Sequence, residues 1–280
     1  MHEILDHLPK GARVLDLGSR GGSFPAHAYP HLVVVRVDLK HKESQAPSVQ
    51  ADAARLPFPS RTFDAVILNH TLEHFVRLKR ALQEIGRVVR RDGAIYVAVP
   101  DARTLTDRIY RKVYAGAGGH VNLFGSESEL TTMLSWYFGL PHVATRVLCS
   151  SLAFLNSRNT RDPAVKRQMR CPALWEPLLS ALIALLRLAD YGLHTRAGIY
   201  GWAFYFGSVP EVVDPTPRTN VCVRCGQAHA SDWLWDLGAV RKRWIWFRAY
   251  RCPDCGAANF LAQDRDFHAA GVGPSQASTE

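Results

Sequence analysis

The sequence predicts an α/β protein in which helices cover both faces of a largely parallel sheet, followed by a small module that holds four cysteines. The first half of the 280-residue chain alternates β-branched runs of strand length with amphipathic stretches. This alternation is typical of a parallel sheet with crossover helices. Near the C-terminal end, two C-x-x-C pairs follow a proline-rich stretch. That spacing indicates a separate metal-binding unit.

The strands predicted in the first half each end near a polar or turn residue. They lie at 12–18, 31–38, 63–69 and 93–100. A helix is predicted over 75–93, with a glycine after its last turn. Its apolar positions at helical spacing are Leu78, Leu82, Ile85 and Val89. Ligands of such sheets bind at the carboxyl ends of the strands, so functional residues are expected there.

The second half continues the pattern and then departs from it. A helix is predicted over 126–140 with Ser126 as its cap, and strands are predicted over 142–149 and 199–207. Between these strands the alternation fails. Residues 150–195 are therefore interpreted as a helical insertion.

The insertion contains an apolar run over 174–193, which Pro177, Arg187 and Asp190 interrupt. The run is too short and too interrupted to predict a membrane span. One interpretation is a buried helix or a lid over the active site. The alternative is a helix that docks on a membrane surface.

The composition is that of an ordinary globular protein with an excess of positive charge. The chain has 34 Lys and Arg against 25 Asp and Glu, a net charge of +9, and a pI near 9.4. This balance favours polyanionic partners. The N-terminal stretch has no basic start followed by an apolar run, so a cytoplasmic location is expected.

The stretch VLDLGSRGG (14–22) is a strand that runs into a glycine-rich turn. Such a turn brings backbone N–H groups and a helix N-terminus close to a ligand. Asp38 closes the next predicted strand, where a carboxylate can accept both hydroxyls of a ribose. Asp52 is placed to accept from an amine such as that of adenine. Together they predict a nucleoside pocket.

Taken in order, these stretches resemble class I S-adenosylmethionine-dependent methyltransferases of the type 11-like group. The resemblance covers roughly residues 10–140 and implies a Rossmann-like, seven-stranded sheet with one antiparallel strand. The last two strands are then 142–148 and 199–206. The matching stretches are DLGSRGG, VVVRVDLK, DAARLPFPSRTFDAVILNHTLEH and RALQEIGRVVRRDGAIYVAVP.

The resemblance also implies S-adenosyl-L-methionine as cofactor and assigns residues to its parts. The cofactor-binding residues so implied are Asp16, Gly18 and Gly22 for the methionine part, Asp38 for the ribose, and Asp52 with Ala53 for the adenine. One position departs from the family pattern, because Arg20 stands where the central glycine of the turn is expected. Gly21 could take up the unusual dihedral angles there. The alternative is a chain that no longer binds the cofactor.

The stretch HTLEH (70–74) admits two interpretations. Its H-x-x-E-H order is that of an inverted zinc-protease motif. In the methyltransferases that the chain resembles, the same place holds an L-E-H turn that lines the cofactor pocket. The second interpretation is favoured, because a zinc protease also needs a long helix and a third ligand. Asn69 and His70 are then expected to contact the cofactor or the acceptor.

The stretch GGHVNLFGSESEL (118–130) contains the candidate catalytic residue. By the same resemblance this segment faces the methyl acceptor, which makes His120 the candidate acid/base or acceptor-orienting residue. A structural or capping histidine is the alternative. Methyl transfer needs mainly alignment of the reacting atoms and removal of one proton.

The two C-x-x-C pairs predict a zinc ribbon. Each pair is followed by a glycine that permits a tight turn around a metal, and four thiolates satisfy a closed, structural Zn²⁺ site. The predicted ligands are Cys222, Cys225, Cys252 and Cys255. The segment 241–251 between them interleaves basic and aromatic residues, a composition suited to nucleic acid or another polyanion. Packing of its aromatic residues against the large domain is the alternative.

These observations predict the following organisation: a methyltransferase-like domain at 1–208, with its insertion at about 150–195, a linker at 209–220, the zinc ribbon at 221–262 and a flexible tail at 263–280. The expected function is methyl transfer to an unidentified acceptor, with the ribbon aiding recognition of the acceptor or of a partner. Two alternatives stay open. One is an inactive binding protein for RNA or a protein partner, and the other is a membrane-surface methyltransferase acting on a lipid or glycan precursor.

Overall fold

The computed structural model describes most of the chain, namely residues 1–18, 22–39, 46–114, 120–158, 172–193, 195–209, 218–242 and 248–261. Seven strands form the main body of one large sheet. They are β1 Arg13–Leu17, β2 Val33–Asp38, β3 Ser48–Gln50, β4 Phe63–Asn69, β5 Val89–Pro100, β6 His142–Cys149 and β7 Ile199–Gly207. Their order in the sheet is β3-β2-β1-β4-β5-β7-β6.

The directions of these strands confirm the predicted sheet. β1 pairs in parallel with β2 and β4, and β4 pairs in parallel with β5. β7 runs antiparallel to both β5 and β6. The assignment of 142–148 and 199–206 to the last two strands is therefore confirmed, and β7 is the antiparallel strand.

Helices cover both faces of the sheet, as the alternation in sequence predicts. The helices are α1 His2–His7, α2 Leu78–Val88, α3 Leu105–Val113, α4 Glu127–Phe138, α5 Glu176–Leu193 and α6 Ser231–Asp236. In β4, Val66 and Leu68 belong to the core under α2 and α4, whereas Ala65 and Ile67 belong to the core on the face of α1. The period-2 alternation of strand side chains thus divides the apolar residues between two cores.

Helix α2 is shorter than the sequence predicts. It ends at Val88, and Val89 already pairs with Phe63 as the first residue of β5. Gly93 therefore lies within the strand and does not end the helix. A Cβ at Gly93 would lie 2.9 Å from the carbonyl oxygen of Asp64, so the neighbouring backbone requires glycine here. The β-branched Val89 suits a strand as well as a helix, which is why the boundary was misplaced.

Helix α4 begins as predicted, after its cap Ser126, but ends at Phe138, two residues before the predicted end. The hydroxyl oxygen of Ser126 accepts from the backbone N–H of Glu129 at 3.4 Å. Gly139 follows the helix with φ of 64°, the left-handed conformation that glycine adopts without steric cost.

Two further strands, β8 Arg218–Val221 and β9 Ala228–Ala230, extend the large sheet beyond β6. β8 pairs in parallel with β6, and β9 runs antiparallel to β8. Residues 218–220, which the sequence places in the linker, therefore belong to a strand of the main sheet. The sequence gives no signal for this, because a four-residue strand after three prolines resembles a linker.

A second, three-stranded sheet completes the described C-terminal part. It contains β10 Val240–Lys242, β11 Arg248–Arg251 and β12 Ala258–Phe260, all antiparallel. The aromatic residues at 244, 246 and 247 of the predicted polyanion-binding segment lie outside the described residues, as do the tail and residues 210–217 of the linker. Arg248 packs its guanidinium over the ring of Trp235, with 5.1 Å to the centroid.

Helix α5 corresponds to the predicted apolar run. Its inner side chains Leu179 and Ile183 are buried against α3 and the loop that follows β6. The carboxylate of Asp190 accepts from the backbone N–H groups of Ala197 and Gly198 at 2.6 and 2.7 Å. Within the described residues, no helix has both the length and the apolar character needed to cross a membrane. Docking of α5 on a membrane surface stays a prediction.

Candidate active site

A cavity of about 360 Å³, here called the edge cavity, lies at the carboxyl ends of the parallel strands. Segments that follow β1, β4, β5, β6 and β8 line it, together with the start of β7. The lining residues used below are Gly18, Gly22, Asn69, His70, Glu73, His74, Tyr110, His120, Tyr200 and Gln227. The position agrees with the rule that ligands of α/β sheets bind at this edge.

Two charged side chains, those of Asp16 and Arg36, pack against the glycine-rich turn after β1. Asp16 is fully buried, accepts from the backbone N–H of Ser23 at 2.9 Å, and lies 3.5 Å from the guanidinium of Arg36. A Cβ at Gly22, whose φ is 119°, would lie 2.2 Å from that guanidinium. Gly18 and Gly22 thus line the cavity, whereas Asp16 supports the turn. Residues 19–21, including Arg20, lie outside the described residues.

The residues predicted to hold the ribose and adenine lie at the β2–β3 side of the sheet. Asp38 ends β2, and its carbonyl oxygen accepts from the backbone N–H of Ala51 at 3.0 Å. Asp52 accepts from the backbone N–H of Ala54 at 2.7 Å and pairs with Arg77. These two contacts, that of Ala54 foremost, lower the pKa of Asp52. Asp38, Asp52 and Ala53 do not contribute to the described lining of the edge cavity, so their roles stay predictions.

The stretch HTLEH is a tight turn after β4, as the favoured interpretation expects. Leu72–His74 forms a single 3₁₀ turn. His70 has φ of 53°, and its ring lies 4.9 Å from that of Tyr200. The side chain of Asn122 donates to the carbonyl oxygens of Leu72 and Phe75 at 2.9 and 2.8 Å. This clamp joins the turn to the segment that carries His120.

Glu73 is the unexpected residue of this turn. Its side chain is 1% exposed, and neither carboxylate oxygen has a hydrogen-bond partner among the described residues. Nδ1 of His70 lies 3.7 Å from Oε1 of Glu73. The carboxylate lines the edge cavity. A buried, unpartnered carboxylate is costly, so this one is suited to a ligand that donates hydrogen bonds.

His120 lies in the edge cavity with a buried carboxylate behind it. Its Nδ1 lies 2.6 Å from Oδ1 of Asp107, and both side chains are at most 2% exposed. An ionised carboxylate only accepts hydrogen bonds, so Nδ1 carries the proton. The ring of His120 stacks on that of Tyr110 at 4.4 Å.

Asp107 is held in its ionised form by two donors. Burial alone would raise the pKa of this carboxyl, but the hydrogen bond from His120 and that from Arg111, at 2.6 Å, together lower it below its ordinary value. This partner of His120 cannot be identified from the sequence. Asp107 follows the capping residue Thr104 in the first turn of α3, where an acidic residue is ordinary and gives no functional signal.

The four cysteines come together as predicted. The sulfur atoms of Cys222 and Cys255 lie 3.6 Å apart, as do those of Cys225 and Cys252. All four lie within 4.8 Å of one another, a grouping that could hold a metal ion. Gly226 and Gly256 have φ of 75° and 70°, a left-handed conformation that explains why a glycine follows each cysteine pair.

The described residues hold another grouping of this kind at the edge cavity, formed by Glu73, His74 and His120.

Comparison with known proteins agrees with the fold. Residues 15–97 match the family described as a methyltransferase domain. An uncharacterized protein of Methanocaldococcus jannaschii is 28% identical over 112 residues, which are 38% of this chain and 53% of that protein. A demethylmenaquinone methyltransferase of Mycobacterium sp. is 34% identical over 73 residues, which are 26% of this chain and 31% of that enzyme.

Among solved structures, a SAM-dependent methyltransferase from Archaeoglobus fulgidus gives a TM-score of 0.50 at 17% identity. The match covers 73% of this chain and 90% of that one, and it concerns the fold. The chain thus spans about half of the first curated relative and under a third of the second. Residues 15–97 thus match a methyltransferase domain, and the strand order and the edge cavity agree with the fold of such a domain.

Proposed function

We propose that the protein transfers a methyl group from S-adenosyl-L-methionine to a small acceptor bound in the edge cavity. The observation that carries this proposal is His120, which lines the same cavity as the glycine-rich turn and is paired with the buried carboxylate of Asp107. A glycine-rich turn alone would suit many nucleotide-binding proteins. A buried histidine and carboxylate beside it supply the proton acceptor that methyl transfer to oxygen or nitrogen requires.

The chain's own residues divide the work between binding and proton transfer. Gly18, Gly22, Asn69 and His70 would hold the cofactor, which when bound supplies an electrophilic methyl group. Asp107 accepts from Nδ1 of His120 and thereby fixes the tautomer in which Nε2 is the free base. Nε2 then takes the proton that the acceptor's hydroxyl or amine loses. Asp107 stabilises the imidazolium that forms, because it is held ionised.

The four cysteines fit Zn²⁺ in a closed structural site. Four thiolates satisfy tetrahedral coordination and leave no position for a substrate. In addition, the backbone N–H of Arg224 points at Sγ of Cys222 from 3.4 Å, which is suited to a sulfur that carries negative charge. We therefore assign the zinc a role in holding the ribbon, which in turn aids acceptor recognition.

Cofactor binding is tested by isothermal titration calorimetry with S-adenosylhomocysteine. We expect saturable binding to the wild type. The substitution Asp38→Ala should weaken it by about 1 to 3 kcal/mol, because the ribose hydroxyls lose a charged acceptor. Asp92→Ala is the matched control, since Asp92 is 71% exposed and lies on the surface beside Arg90. Absence of any binding to the wild type would reject the enzyme and favour an inactive binding protein.

A further inference from the structure

The first cysteine turn of the ribbon, here called the first knuckle (residues 222–227), is part of the wall of the edge cavity. β8 runs parallel to β6, so its carboxyl end lies at the same edge of the sheet as those of β1 and β4. The first knuckle follows β8 directly. As a result Cys225, Gly226 and Gln227 line the cavity together with His120 and Glu73.

The order of the strands places the first knuckle in the acceptor half of this cavity. Gly18 and Gly22 follow β1, whereas the knuckle follows β8, and β4, β5, β7 and β6 lie between these two strands. The cofactor is expected at the β1 side. His120, Tyr110 and the loop after β6 lie between the two sides, so the knuckle faces the part of the cavity that the cofactor leaves to the acceptor.

The backbone of Gln227 is hydrogen-bonded, whereas its side-chain oxygen has no hydrogen-bond partner among the described residues. The carbonyl oxygen of Gln227 accepts from the backbone N–H of Cys222 at 2.8 Å, and the residue leads directly into β9. Its side-chain Oε1 is buried and has no hydrogen-bond partner among the described residues. Glu73 presents two more such oxygens to the same cavity.

Three buried acceptor atoms in one cavity indicate the chemistry of a ligand that would bind there. Leaving a buried oxygen without a partner is costly, so a ligand that donates hydrogen bonds to these atoms is favoured. Tyr110, Phe154 and Tyr200 line the same space. Their rings suit a ring-bearing ligand.

We propose that the first knuckle is part of the acceptor site, and that Gln227 and Glu73 bind O–H or N–H groups of a ring-bearing acceptor. This inference rests on the proposed function. It gives the ribbon a direct role in specificity, because the metal-bound turn fixes the position of Gln227.

The test uses the full chain, prepared without chelators and saturated with S-adenosylhomocysteine. Two probes of equal shape are compared by saturation-transfer NMR: 4-hydroxybenzyl alcohol, which carries two O–H donors, and 4-ethyltoluene, which carries none. We expect the alcohol to bind more tightly. Gln227→Leu should weaken binding of the alcohol by about tenfold, because one hydrogen bond is lost. It should leave the binding of 4-ethyltoluene unchanged. Gln83→Leu, on the exposed face of α2, should change neither.

Separate measurements distinguish the outcomes. Binding of S-adenosylhomocysteine reports on the proposed function alone and should be unchanged in Gln227→Leu; a loss of cofactor affinity there would place Gln227 at the cofactor and overturn the inference. Equal binding of the two probes, or no binding of the alcohol, would also overturn it.

Glu73→Gln provides a second variant that keeps the shape of the side chain. This variant should likewise bind the alcohol more weakly than the wild type does. Its metal content should equal that of the wild type. If the wild type instead held a second metal ion that Glu73→Gln lost, the carboxylate would belong to a metal site with His74 and His120. The inference would then be wrong.

Discussion

Gly18 shows how one residue is required for two separate physical reasons. Its φ is 72°, and a Cβ there would lie 2.2 Å from Cγ2 of Thr71. Gly11 also has a positive φ, of 85°, but a Cβ there would meet nothing within 4 Å. A substitution at Gly11 therefore tests backbone strain alone, whereas one at Gly18 tests backbone strain together with steric crowding by Thr71.

We predict that Gly18→Ala lowers both stability and affinity for S-adenosylhomocysteine, whereas Gly11→Ala lowers stability alone. Left-handed alanine costs about 1 kcal/mol, and the contact with Thr71 adds to this at Gly18. Thermal unfolding and calorimetry measure the two effects. Equal losses of stability in the two variants would show that the side chain of Thr71 moves away from the added Cβ at no cost in free energy.

Asp107 gives a prediction about pH. Its pKa is lowered in the folded protein by His120 and Arg111, so its contribution to stability is complete above the ordinary value of 3.8 and is lost as the pH falls through the folded value. We predict that Asp107→Asn is less stable than the wild type by about 1 to 3 kcal/mol at neutral pH. This difference should shrink as the solution is acidified, as followed by thermal unfolding. A stability difference between Asp107→Asn and the wild type that does not change with pH would contradict an ionised Asp107.

The sequence predicts single residues where the chemistry is local. Gly226 and Gly256 could be placed because a tight turn after a C-x-x-C pair requires glycine at a fixed position. The pairing of His120 with Asp107 could not be predicted, because no motif links a residue in the first turn of α3 to one 13 positions later. The lack of a hydrogen-bond partner for the carboxylate of Glu73 among the described residues could not be predicted either, because it depends on tertiary packing. The sequence shows Glu73 only as part of the HTLEH turn and does not predict that its carboxylate is buried.

At the scale of elements, one ion pair joins the ribbon to helix α5. Glu176 begins the helix, and Arg224 in the first knuckle donates to its carboxylate through Nε at 2.8 Å and through Nη2 at 2.6 Å. Arg224 also donates to the carbonyl oxygen of Cys255 at 2.8 Å. Its hydrogen bond lowers the pKa of Glu176. The contact therefore weakens as the pH falls through that lowered pKa.

We predict that Arg224→Met destabilises the docked ribbon by about 1 to 2 kcal/mol, a typical value for a hydrogen-bonded charge. Amide hydrogen exchange should be faster in β11 and β12 and unchanged in β1 and β4. Arg90→Met is the control, because Arg90 forms a surface pair with Asp92, and such pairs contribute little. Faster exchange throughout the chain would show that the pair supports more than the docking of the ribbon.

The sequence predicts the start of α4 through its cap, Ser126, but misplaces its end. The predicted span runs to residue 140, whereas Gly139 adopts a left-handed conformation after Phe138 and ends the helix. The junction of α2 and β5 has no such marker. Pairing of Val89 with Phe63 decides it, and this contact is tertiary.

At the scale of the whole molecule, the four-cysteine cluster, where we propose zinc, is continuous with the large sheet through β8. The ribbon's own sheet is small, so the metal should supply most of its stability. We predict one Zn²⁺ per chain by elemental analysis, and that Cys222→Ser or chelation disorders β10, β11 and β12. Affinity for S-adenosylhomocysteine should be retained, because the cofactor turn follows β1 on the far side of the cavity. Protein without zinc, or a disulfide between Cys222 and Cys225, would reject the zinc site.

The architecture of the methyltransferase domain could be predicted because its motifs occur in a fixed order along the chain. The attachment of the ribbon could not. Four cysteines predict a metal site wherever it lies, and only the pairing of β8 with β6 shows that this site adjoins the edge cavity.

The same pairing has a consequence for association between copies of the chain. Without the C-terminal part, β6 would be the last strand of the sheet and would present unpaired backbone groups over its whole length. Such an edge is a template for strand addition by another molecule. β8 occupies it at Val147 and Leu148, and the three-residue β9 leaves only a short new edge. β8 thus covers only the last part of this edge of β6, and a chain cut ahead of residue 218 would open Val147 and Leu148 to pairing with a strand of another molecule.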